Sequence, residues 1–361
     1  MGKQLDKIEV HGFKSIKNLN LDLRQLNVLI GANGAGKTNF VSLFKLLNQI
    51  IEKRLQTSVR EAGGAETFLF HGSKETSQIT IKLRFQDNGY GCRLKPAADD
   101  SLFFDYEEAD YWGGGYTNPY IEFLGSGHNE SNCAEVAAKR RVAQYVLGAL
   151  RNWKLYHFHD TSDSAKVKKI CDINDDFFFR QNAENLAAYL FKLHKGHSHN
   201  YELIRQTIQL VAPFFDDFIL RPMTENPGKI QLEWREKDSD YPYKAHQLSD
   251  GTLRFICLAT LLLQPNPPST IVIDEPELGL HPYAITILAS MLRSASANTQ
   301  VIVSTQSVPL VNQLTPEEVI VVEREGNNSV FKRLSGDQLK DWVEDYGLGD
   351  MWEKNLLGGR P

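Results

Sequence analysis

Apolar residues near the start of the chain follow the spacing of strands and then that of a helix. They alternate with polar residues at 7–10 and 19–23, which is typical of strands with one buried face, and a wholly apolar run at 28–30 predicts a buried central strand. Apolar positions then recur at helical spacing across 40–51, which predicts a helix. Alternation returns at 79–85 and predicts a further antiparallel strand.

The middle of the chain gives a less regular pattern. Residues 101–124 are rich in aromatic side chains and are interrupted by consecutive glycines, so we expect a surface loop between strands there. The aromatic run at 103–124 could equally form a partner surface or the inner face of a sheet in the insertion. Helical spacing predicts helices over about 134–150 and 184–211. Two short apolar runs, at 218–220 and 230–234, predict strands.

Helices and buried strands alternate again after Leu248. The pattern predicts a helix at 252–263, a strand at 270–273, a helix that begins near Pro282 and a strand at 301–303. Sequences that alternate in this way build α/β cores with parallel strands.

The pattern therefore predicts an α/β core that is split by an insertion. Residues 1–90 form the first part of the core, residues 91–244 form an insertion of β structure followed by helices, and residues 245–361 form the second part. No long heptad array is present, so we expect no extended coiled-coil arm.

The composition is that of a soluble globular protein, and it limits the cellular compartments and binding partners that we expect. Of the 361 residues, 42% are hydrophobic and 24% are charged, and no apolar run is long enough to predict a membrane helix. The first seven residues are charged and lack the apolar segment of a secretion signal. The four cysteines are widely scattered, which favours reduced thiols in a cytoplasmic protein. The net charge of -5 gives no general support for nucleic-acid binding, although a local basic patch could still exist.

A glycine-rich segment between the strand at 28–30 and the helix at 40–51 predicts a phosphate-binding loop. Residues 31–38, here called the phosphate loop, match the pattern G-x-x-x-x-G-K-[ST] at every fixed position. Backbone N–H groups of such a loop converge on phosphate oxygens, and the helix that follows adds partial positive charge. A fortuitous glycine-rich turn is disfavoured by the strand before it and the helix after it. The candidate nucleotide-binding residues are Asn33, Gly34, Ala35, Gly36, Lys37, Thr38 and Asn39.

Two adjacent carboxylates follow the buried strand at 270–273. Ligands of α/β proteins bind at the carboxyl ends of such strands, and adjacent buried carboxylates require a cation. We expect Asp274 and the Thr38 hydroxyl to bind Mg²⁺, Lys37 to reach the β- and γ-phosphates of ATP, and Glu275 to orient and deprotonate the attacking water. The alternative is a strand that ends in a solvated acidic turn.

Residues 248–254, here called the signature, resemble the Leu-Ser-Gly-Gly signature of ABC ATPases. This resemblance implies that Ser249, Asp250 and Gly251 contact the nucleotide bound by another subunit. A single copy of each motif then implies a homodimer with two composite sites, or a higher oligomer, unless a related partner substitutes. The simpler interpretation is that Ser249 or Asp250 caps an ordinary helix, and both interpretations can hold.

Three segments resemble the RecF/SMC/OLD-like branch of the ABC-type ATPases. They are the opening strand and its Phe-Lys-Ser turn at 8–16, the phosphate loop with its trailing Asn39, and the extended acidic motif at 274–282. The resemblance covers roughly 1–85 and 245–361. It implies an α/β P-loop NTPase with an ABC-type core, in which a mixed sheet is flanked by helices, together with an antiparallel β subdomain and a mainly helical insertion. Compact bacterial ATPases of this kind are often encoded with a small toxin or nuclease-like partner.

The sequence also departs from this branch. Many members place a histidine after the strand that corresponds to 301–303, and Gln306 takes that place here. Glutamine can donate to a γ-phosphate but cannot titrate, so we expect slow or partner-triggered turnover with Lys37, Glu275 and Gln306 as the catalytic residues. No Q-loop glutamine is evident. Only about 55 residues follow Ser307, which is short for a nuclease domain of average size, so we expect any nuclease activity in a separate polypeptide.

Histidine and lysine clusters give weaker signals. His157, His159 and Asp160 lie close together, as do three histidines between 194 and 199, and such spacings can bind metal. Solvated histidines are the simpler interpretation. The basic runs at 139–141 and 166–169 could contact a nucleic-acid backbone, but short runs of this kind are more often solvated helix faces.

Three functional hypotheses follow. The first is a regulatory ATPase in bacterial anti-phage defence, in which ATP closes a homodimer that controls a separate toxin or nuclease-like effector. The second is a RecF-like DNA-repair ATPase, for which the acidic balance gives little support. The third is a scaffold that uses ATP to hold a toxin with little turnover. A membrane transporter motor is disfavoured because the opening strand resembles a different branch.

Overall fold

Two six-stranded sheets organise the chain in a computed structural model that describes residues 4–115, 117–336, 339 and 346–360. The first sheet is antiparallel throughout. Its strands are β1 (Lys7–Phe13), β2 (Ile16–Asp22), β4 (Ile79–Phe85), β5 (Asn88–Pro96), β6 (Leu102–Tyr111) and β7 (Tyr120–Gly125). Their order across the sheet is β2-β1-β4-β5-β6-β7.

The second sheet is mixed and carries the predicted nucleotide-binding motifs. Its strands are β3 (Leu26–Ile30), β8 (Trp153–Tyr156), β14 (Thr270–Asp274), β15 (Gln300–Ser304), β16 (Val319–Glu325) and β17 (Asn328–Arg333). Their order is β17-β16-β3-β15-β14-β8, and only β17 runs antiparallel to its neighbour. Five short strands complete the set: β9 (Cys171–Asp172) pairs with β11 (Lys229–Ile230), and β12 (Glu233–Glu236) lies between β10 (Phe215–Ile219) and β13 (Tyr243–Lys244).

Helices cover both faces of the mixed sheet. The α-helices of the described residues are α1 (Lys37–Ile51), α2 (Leu55–Glu61), α3 (Cys133–Ala137), α4 (Arg141–Leu150), α5 (Leu186–Gly196), α6 (Ser198–Val211), α7 (Asp250–Leu262), α8 (Pro282–Ser296), α9 (Val308–Val311) and α10 (Leu348–Glu353). Helix α1 shares a core with the antiparallel sheet and with one face of β3 and β14, through Leu29 and Val272. The opposite face of these strands packs against α5 to α8, through Val28 and Ile271. Because both faces are buried, these strands are mainly apolar.

The predicted architecture is confirmed: a mixed sheet flanked by helices stands beside an antiparallel sheet. The strands predicted at 7–10, 28–30, 79–85, 270–273 and 301–303 are all present, although several are longer than expected. These are the segments in which the apolar pattern was strongest.

Four local predictions in the middle of the chain differ from the structure. The aromatic segment at 101–124 is not a surface loop, because most of it forms β6 and β7. The helix expected at 134–150 is divided into α3 and α4, and the one expected at 184–211 is divided at His197, whose φ of -141° is not helical. The run at 230–234 is divided between β11 and β12, which pair with different strands.

The predicted three-part division does not coincide with the sheets. Its first boundary, at 90/91, falls inside β5, and the middle part contributes β8 to the mixed sheet beside β14. The division remains a prediction about sequence segments and does not describe how the strands are distributed between the two sheets.

The structure also bears on membrane and redox expectations. Within the described ranges, no helix has both the length and the apolar character needed to cross a membrane. The four cysteines are free thiols, and Cys92, Cys133 and Cys257 are buried. This agrees with the predicted absence of disulfide bonds.

Candidate functional site

The phosphate loop connects β3 to α1 at the carboxyl edge of the mixed sheet. Two of its glycines are required by space as well as by positive φ angles. A Cβ at Gly31, where φ is 155°, would collide with the Val322 carbonyl oxygen of β16. A Cβ at Gly36, where φ is 120°, would collide with the Ser329 hydroxyl of β17. The loop is therefore packed directly against β16 and β17.

Lys37, the first residue of α1, is buried beneath this loop. Its Nζ donates to the carbonyl oxygens of Gly31, at 2.5 Å, and of Ala32, at 3.2 Å. Burial lowers the pKa of Lys37, and the charges of Glu275, Asp274 and Glu277 oppose that shift. Because β14, β15 and β3 are parallel neighbours, the acidic strand end and the phosphate loop lie at the same edge of the sheet.

A small hydroxyl network fastens the phosphate loop to the turn between β1 and β2. Asn39 Nδ2 donates to Ser15 Oγ at 2.7 Å, and Ser329 Oγ lies 2.7 Å from the same hydroxyl. Ser329 Oγ also donates to the Ala35 carbonyl oxygen at 2.6 Å. Sequence reasoning gave no role to Ser15 or Ser329, although Ser15 belongs to the Phe-Lys-Ser turn. The predicted nucleotide contact of Asn39 remains a prediction, because its amide binds Ser15 here.

The other predicted nucleotide ligands of the phosphate loop differ in their exposure to solvent. Asn33, Gly34 and Thr38 are exposed, whereas Ala35 and Gly36 are buried against the sheet. Arg324 on β16 donates through Nη1 to the Gly34 carbonyl oxygen at 3.3 Å. Exposed positions at the tip of the loop leave its surface accessible to a phosphate chain.

Asp274 ends β14 directly opposite Ser304 of β15. Its Oδ1 accepts from Ser304 Oγ at 2.6 Å. The next residue, Glu275, has a φ of 43°, a left-handed conformation that costs a non-glycine residue about 1–2 kcal/mol. Its N–H donates to the Ser304 carbonyl oxygen at 2.8 Å, which helps to hold this conformation. This left-handed turn at Glu275 ends the extended backbone of β14.

Residues 304–307, here called the switch segment, contact the acidic loop at 275–281. Gln306 Nε2 donates to Glu275 Oε1, so two predicted catalytic residues are in direct contact. Thr305 Oγ1 and Gln306 N donate to Glu277 Oε1, at 2.5 and 3.2 Å. Glu277 Oε2 is buried without a hydrogen-bond partner, and burial raises the pKa of this carboxyl despite the Thr305 hydrogen bond. Sequence reasoning did not single out Glu277, which lies in the quoted acidic motif.

The histidines after β8 lie beside the same carboxylates. His159 Nε2 is 3.0 Å from the Asp274 carbonyl oxygen. Burial lowers the pKa of His157, and the charge of Asp274 opposes that shift. No group of three metal-binding side chains occurs in the residues that the structure describes, so the histidine clusters gain no support as metal sites.

The signature begins α7 and contacts the acidic loop. Ser249 caps the helix by accepting from the Thr252 N–H at 3.2 Å, which confirms the capping interpretation. Gly251 packs so closely on Gly279 that a Cβ would lie 2.5 Å from the Gly279 carbonyl oxygen. In the described part of the chain, no hydrogen bond or ion pair joins the signature to the phosphate loop.

Arg254 connects three parts of this region. Its buried guanidinium donates to the carbonyl oxygens of Phe158, at 2.9 Å, of His159, at 3.2 Å, and of Leu278. The helix that begins with the signature is therefore tied to both the acidic loop and the exit of β8. Burial lowers the pKa of Arg254, and its three carbonyl acceptors compensate for part of the lost hydration.

Comparisons with known proteins agree with this geometry. The family described as "AAA domain, putative AbiEii toxin, Type IV TA system" matches residues 26–312. The Old nuclease of Escherichia phage P2 is 20% identical over 94% of this chain, which spans 63% of the nuclease's length. The phosphate import ATP-binding protein PstB of Ehrlichia ruminantium is 21% identical over 31% of this chain and 46% of its own length.

Solved structures show the same fold. An SMC head bound to the C-winged helix domain of ScpA has a TM-score of 0.62 at 17% identity, covering 93% of this chain and 99% of that one. An SMC head from Pyrococcus furiosus with an extended coiled coil has a TM-score of 0.60 at 15% identity, covering 94% and 98%. The chain therefore belongs to the family described as "AAA domain, putative AbiEii toxin, Type IV TA system", whose model matches most of its length.

Proposed function

We propose that this chain binds ATP with Mg²⁺ at the carboxyl edge of its mixed sheet and hydrolyses it slowly. The observation that carries the proposal is the association of Lys37, Asp274, Glu275 and Gln306 around the end of the phosphate loop. A phosphate-binding loop, an acidic strand end and a donor to the catalytic carboxylate are the parts that phosphoryl transfer to water requires.

The residues present fit the phosphates and the cation. Lys37 exchanges its two carbonyl acceptors for the β- and γ-phosphate oxygens, while the loop N–H groups hold the phosphate chain. The Thr38 hydroxyl and the Asp274 carboxylate are hard oxygen donors of the kind that Mg²⁺ prefers, and they would hold it. When bound, Mg²⁺ neutralises charge that develops on the phosphate oxygens.

The carboxylate of Glu275 orients the attacking water and accepts its proton. Its position is set by the strained turn after β14 and by the Gln306 amide. Because an amide cannot exchange protons near neutral pH, Gln306 positions Glu275 and contacts the γ-phosphate without joining in proton transfer. This supports slow turnover that a partner accelerates.

A second copy of the chain completes each site in the proposed mechanism. Ser249, Asp250 and Gly251 lie at the start of α7, where hydroxyl and N–H groups suit a terminal phosphate. Within one chain Gly251 packs on Gly279 of the acidic loop and Asp250 pairs with Lys168, and no hydrogen bond or ion pair of the described residues joins these residues to the phosphate loop. The proposed homodimer is bridged by ATP. In it, the signature of each copy contacts the nucleotide that is bound at the phosphate loop of the other copy.

The proposed biological setting is defence of a bacterium against phages or mobile DNA, in the cytoplasm and with a separate effector. Support comes from the family description, which names a putative toxin of a type IV toxin–antitoxin system, and from the phage Old nuclease. The chain spans 63% of that nuclease's length, so nuclease activity is not assigned to it. ATP-dependent closure would hold or release the toxin or nuclease-like partner.

The decisive experiment removes the proton acceptor. The variant Glu275→Gln keeps the shape of the side chain, so it is expected to bind ATP, lose hydrolysis by at least about a hundredfold and accumulate as a dimer. Phosphate release and analytical ultracentrifugation with ATP and with ADP measure these effects.

An exposed carboxylate supplies the control. Glu225→Gln, far from the site in sequence and exposed, should hydrolyse ATP like the parent. A Glu275→Gln protein that stays monomeric with ATP would refute closure. Hydrolysis stimulated by DNA, with salt-sensitive DNA binding, would instead favour the RecF-like alternative. Tight ATP binding without phosphate release by the unmodified chain would favour the scaffold.

A further inference from the structure

The signature carries a carboxylate where the ABC signature that it resembles has a glycine. Asp250 is the first residue of α7, and its side chain is 66% exposed. A carboxylate in the first turn stabilises the helix through the helix dipole. The same negative charge opposes any anion that approaches the helix start. Asp250 therefore conflicts with a terminal phosphate at this position unless a cation compensates.

Lys168 places a cation at this position. Its side chain is only 6% exposed, and its Nζ lies 3.7 Å from Asp250 Oδ1. The residue ends a short 3₁₀ turn, Lys166–Lys168, and its carbonyl oxygen accepts from Gln231 Nε2 at 3.4 Å. Its charge also contributes to lowering the pKa of Asp160, after the larger effect of the Ser162 hydrogen bonds. Asp250 is the carboxylate with which Lys168 forms an ion pair in the described part of the chain.

The neighbouring lysines do not share this arrangement. Lys166 is 70% exposed and pairs with Glu184 at 2.9 Å, and Lys169 donates to the Asp163 carbonyl oxygen at 2.7 Å. Only Lys168 is directed at the signature among the ion pairs that the described residues form. The basic run at 166–169 is therefore neither a uniform patch nor merely a solvated face.

We infer that Lys168 neutralises Asp250 and so allows the start of α7 to accept the terminal phosphate of ATP bound to a second copy. The inference rests on the proposed ATP-bridged dimer and names the residue on which its trans contact depends. Without Lys168, a single uncompensated carboxylate would face the incoming phosphate. Lys168 is thus a positioning residue, because it acts through the charge of Asp250.

A charge-neutralisation series in the Glu275→Gln background tests this role. Lys168→Met keeps most of the apolar stem and removes the charge. We expect it to bind ATP within about twofold of the parent, while the dissociation constant of the ATP-bound dimer rises about tenfold or more. Lys166→Met, on the same turn, is the matched control and should dimerise like the parent.

The second substitution separates charge compensation from loss of structure. In Lys168→Met/Asp250→Asn the uncompensated carboxylate is gone, so the dimer should recover to within about threefold of the parent. Asp250→Asn alone retains the lysine and should tighten the dimer by at least about threefold. This last variant tests the inference even if Lys168→Met is unstable.

Each of these measurements supports or contradicts the compensation of the Asp250 charge by Lys168. If Lys168→Met dimerises like the parent, if the double variant does not recover, or if Asp250→Asn leaves the dimer unchanged or weaker, charge compensation is wrong. If the Glu275→Gln parent itself fails to dimerise with ATP, the proposed function is overturned, and this inference with it. A parent that dimerises normally while the Lys168 series fails overturns this inference alone.

Discussion

The contact between Gln306 and Glu275 bears most directly on turnover. Gln306 Nε2 donates to the carboxylate that is proposed to accept the proton of the attacking water. This hydrogen bond fixes the orientation of the carboxylate. The amide also contributes no group that titrates near neutral pH.

Gln306→His is therefore expected to raise the hydrolysis rate by about tenfold or more, because an imidazole can donate to the γ-phosphate and exchange protons near neutral pH. Steady-state phosphate release between about pH 6 and 8 measures the effect, and the gain should depend on pH across the range where histidine titrates.

Gln313→His places the same side chain just beyond α9 and serves as the control. Equal and fast rates for the unmodified chain and for Gln306→His would show that the glutamine does not limit turnover.

Individual residues were predictable where the type of side chain determines the chemistry. Lys37, Asp274 and Glu275 were named from motif patterns, and the structure brings them within electrostatic range of one another. Ser15, Ser329, Glu277 and Lys168 were not, because each acts through a contact with a residue far away in sequence. No local pattern indicates such contacts.

Among the elements, the β1–β2 hairpin connects the antiparallel sheet to the phosphate loop. Its turn carries Ser15, whose hydroxyl contacts both Asn39 on α1 and Ser329 on β17. The Ser329 N–H also donates to the Ser15 carbonyl oxygen at 2.7 Å. The antiparallel sheet is thereby attached to the phosphate loop at the point where the loop enters its helix.

Ser15→Ala should leave the Asn39 amide without its acceptor and loosen the phosphate loop. A buried hydrogen-bond partner that is removed costs about 1–3 kcal/mol, so ATP affinity should fall by roughly five- to a hundredfold if the loop carries that cost. Isothermal titration calorimetry measures the affinity, and thermal unfolding verifies the fold.

Ser294→Ala removes an exposed hydroxyl from α8 and is the control. An unchanged ATP affinity for Ser15→Ala would show that the hairpin is attached to the loop without supporting it.

The elements themselves were predictable where burial is two-sided or alternates cleanly, as in β3, β4 and β14. The hairpin of β6 and β7 was missed because its outward positions are also apolar. Ile121 and Phe123 are about half exposed, at 48% and 55%, so the alternation that indicates a strand is absent. The break at His197 was missed because apolar spacing continues across it.

At the scale of the whole molecule, the mixed sheet draws its strands from distant parts of the sequence. The central strand β3 lies between β15 and β16, and the edge strand β8 comes from the middle of the chain. Sequence patterns identify strands but not their neighbours, so the assignment of residues 91–244 to a separate insertion could not anticipate the place of β8.

This arrangement predicts how the chain responds to division. A fragment of residues 1–266 keeps the phosphate loop and α1 but lacks β15 and β16, so β3 has no partner in the mixed sheet. It should neither bind ATP nor unfold cooperatively, as measured by calorimetry and by circular dichroism on heating.

Co-expression of residues 1–266 with residues 267–361 is the matched control, because the break falls at the exposed Asn266 between α7 and β14. The pair should recover ATP binding. A fragment of 1–266 that binds ATP alone with the affinity of the intact chain would contradict this account.

The central place of β3 also has a consequence for synthesis. This strand and the apolar helix behind it leave the ribosome early, whereas both neighbours of the strand emerge only with the last part of the nascent chain. During that interval the apolar surfaces of β3 and α1 lack their final cover and are open to chaperones or to aggregation. The mixed sheet can therefore close around β3 only after β15 and β16 have been synthesised.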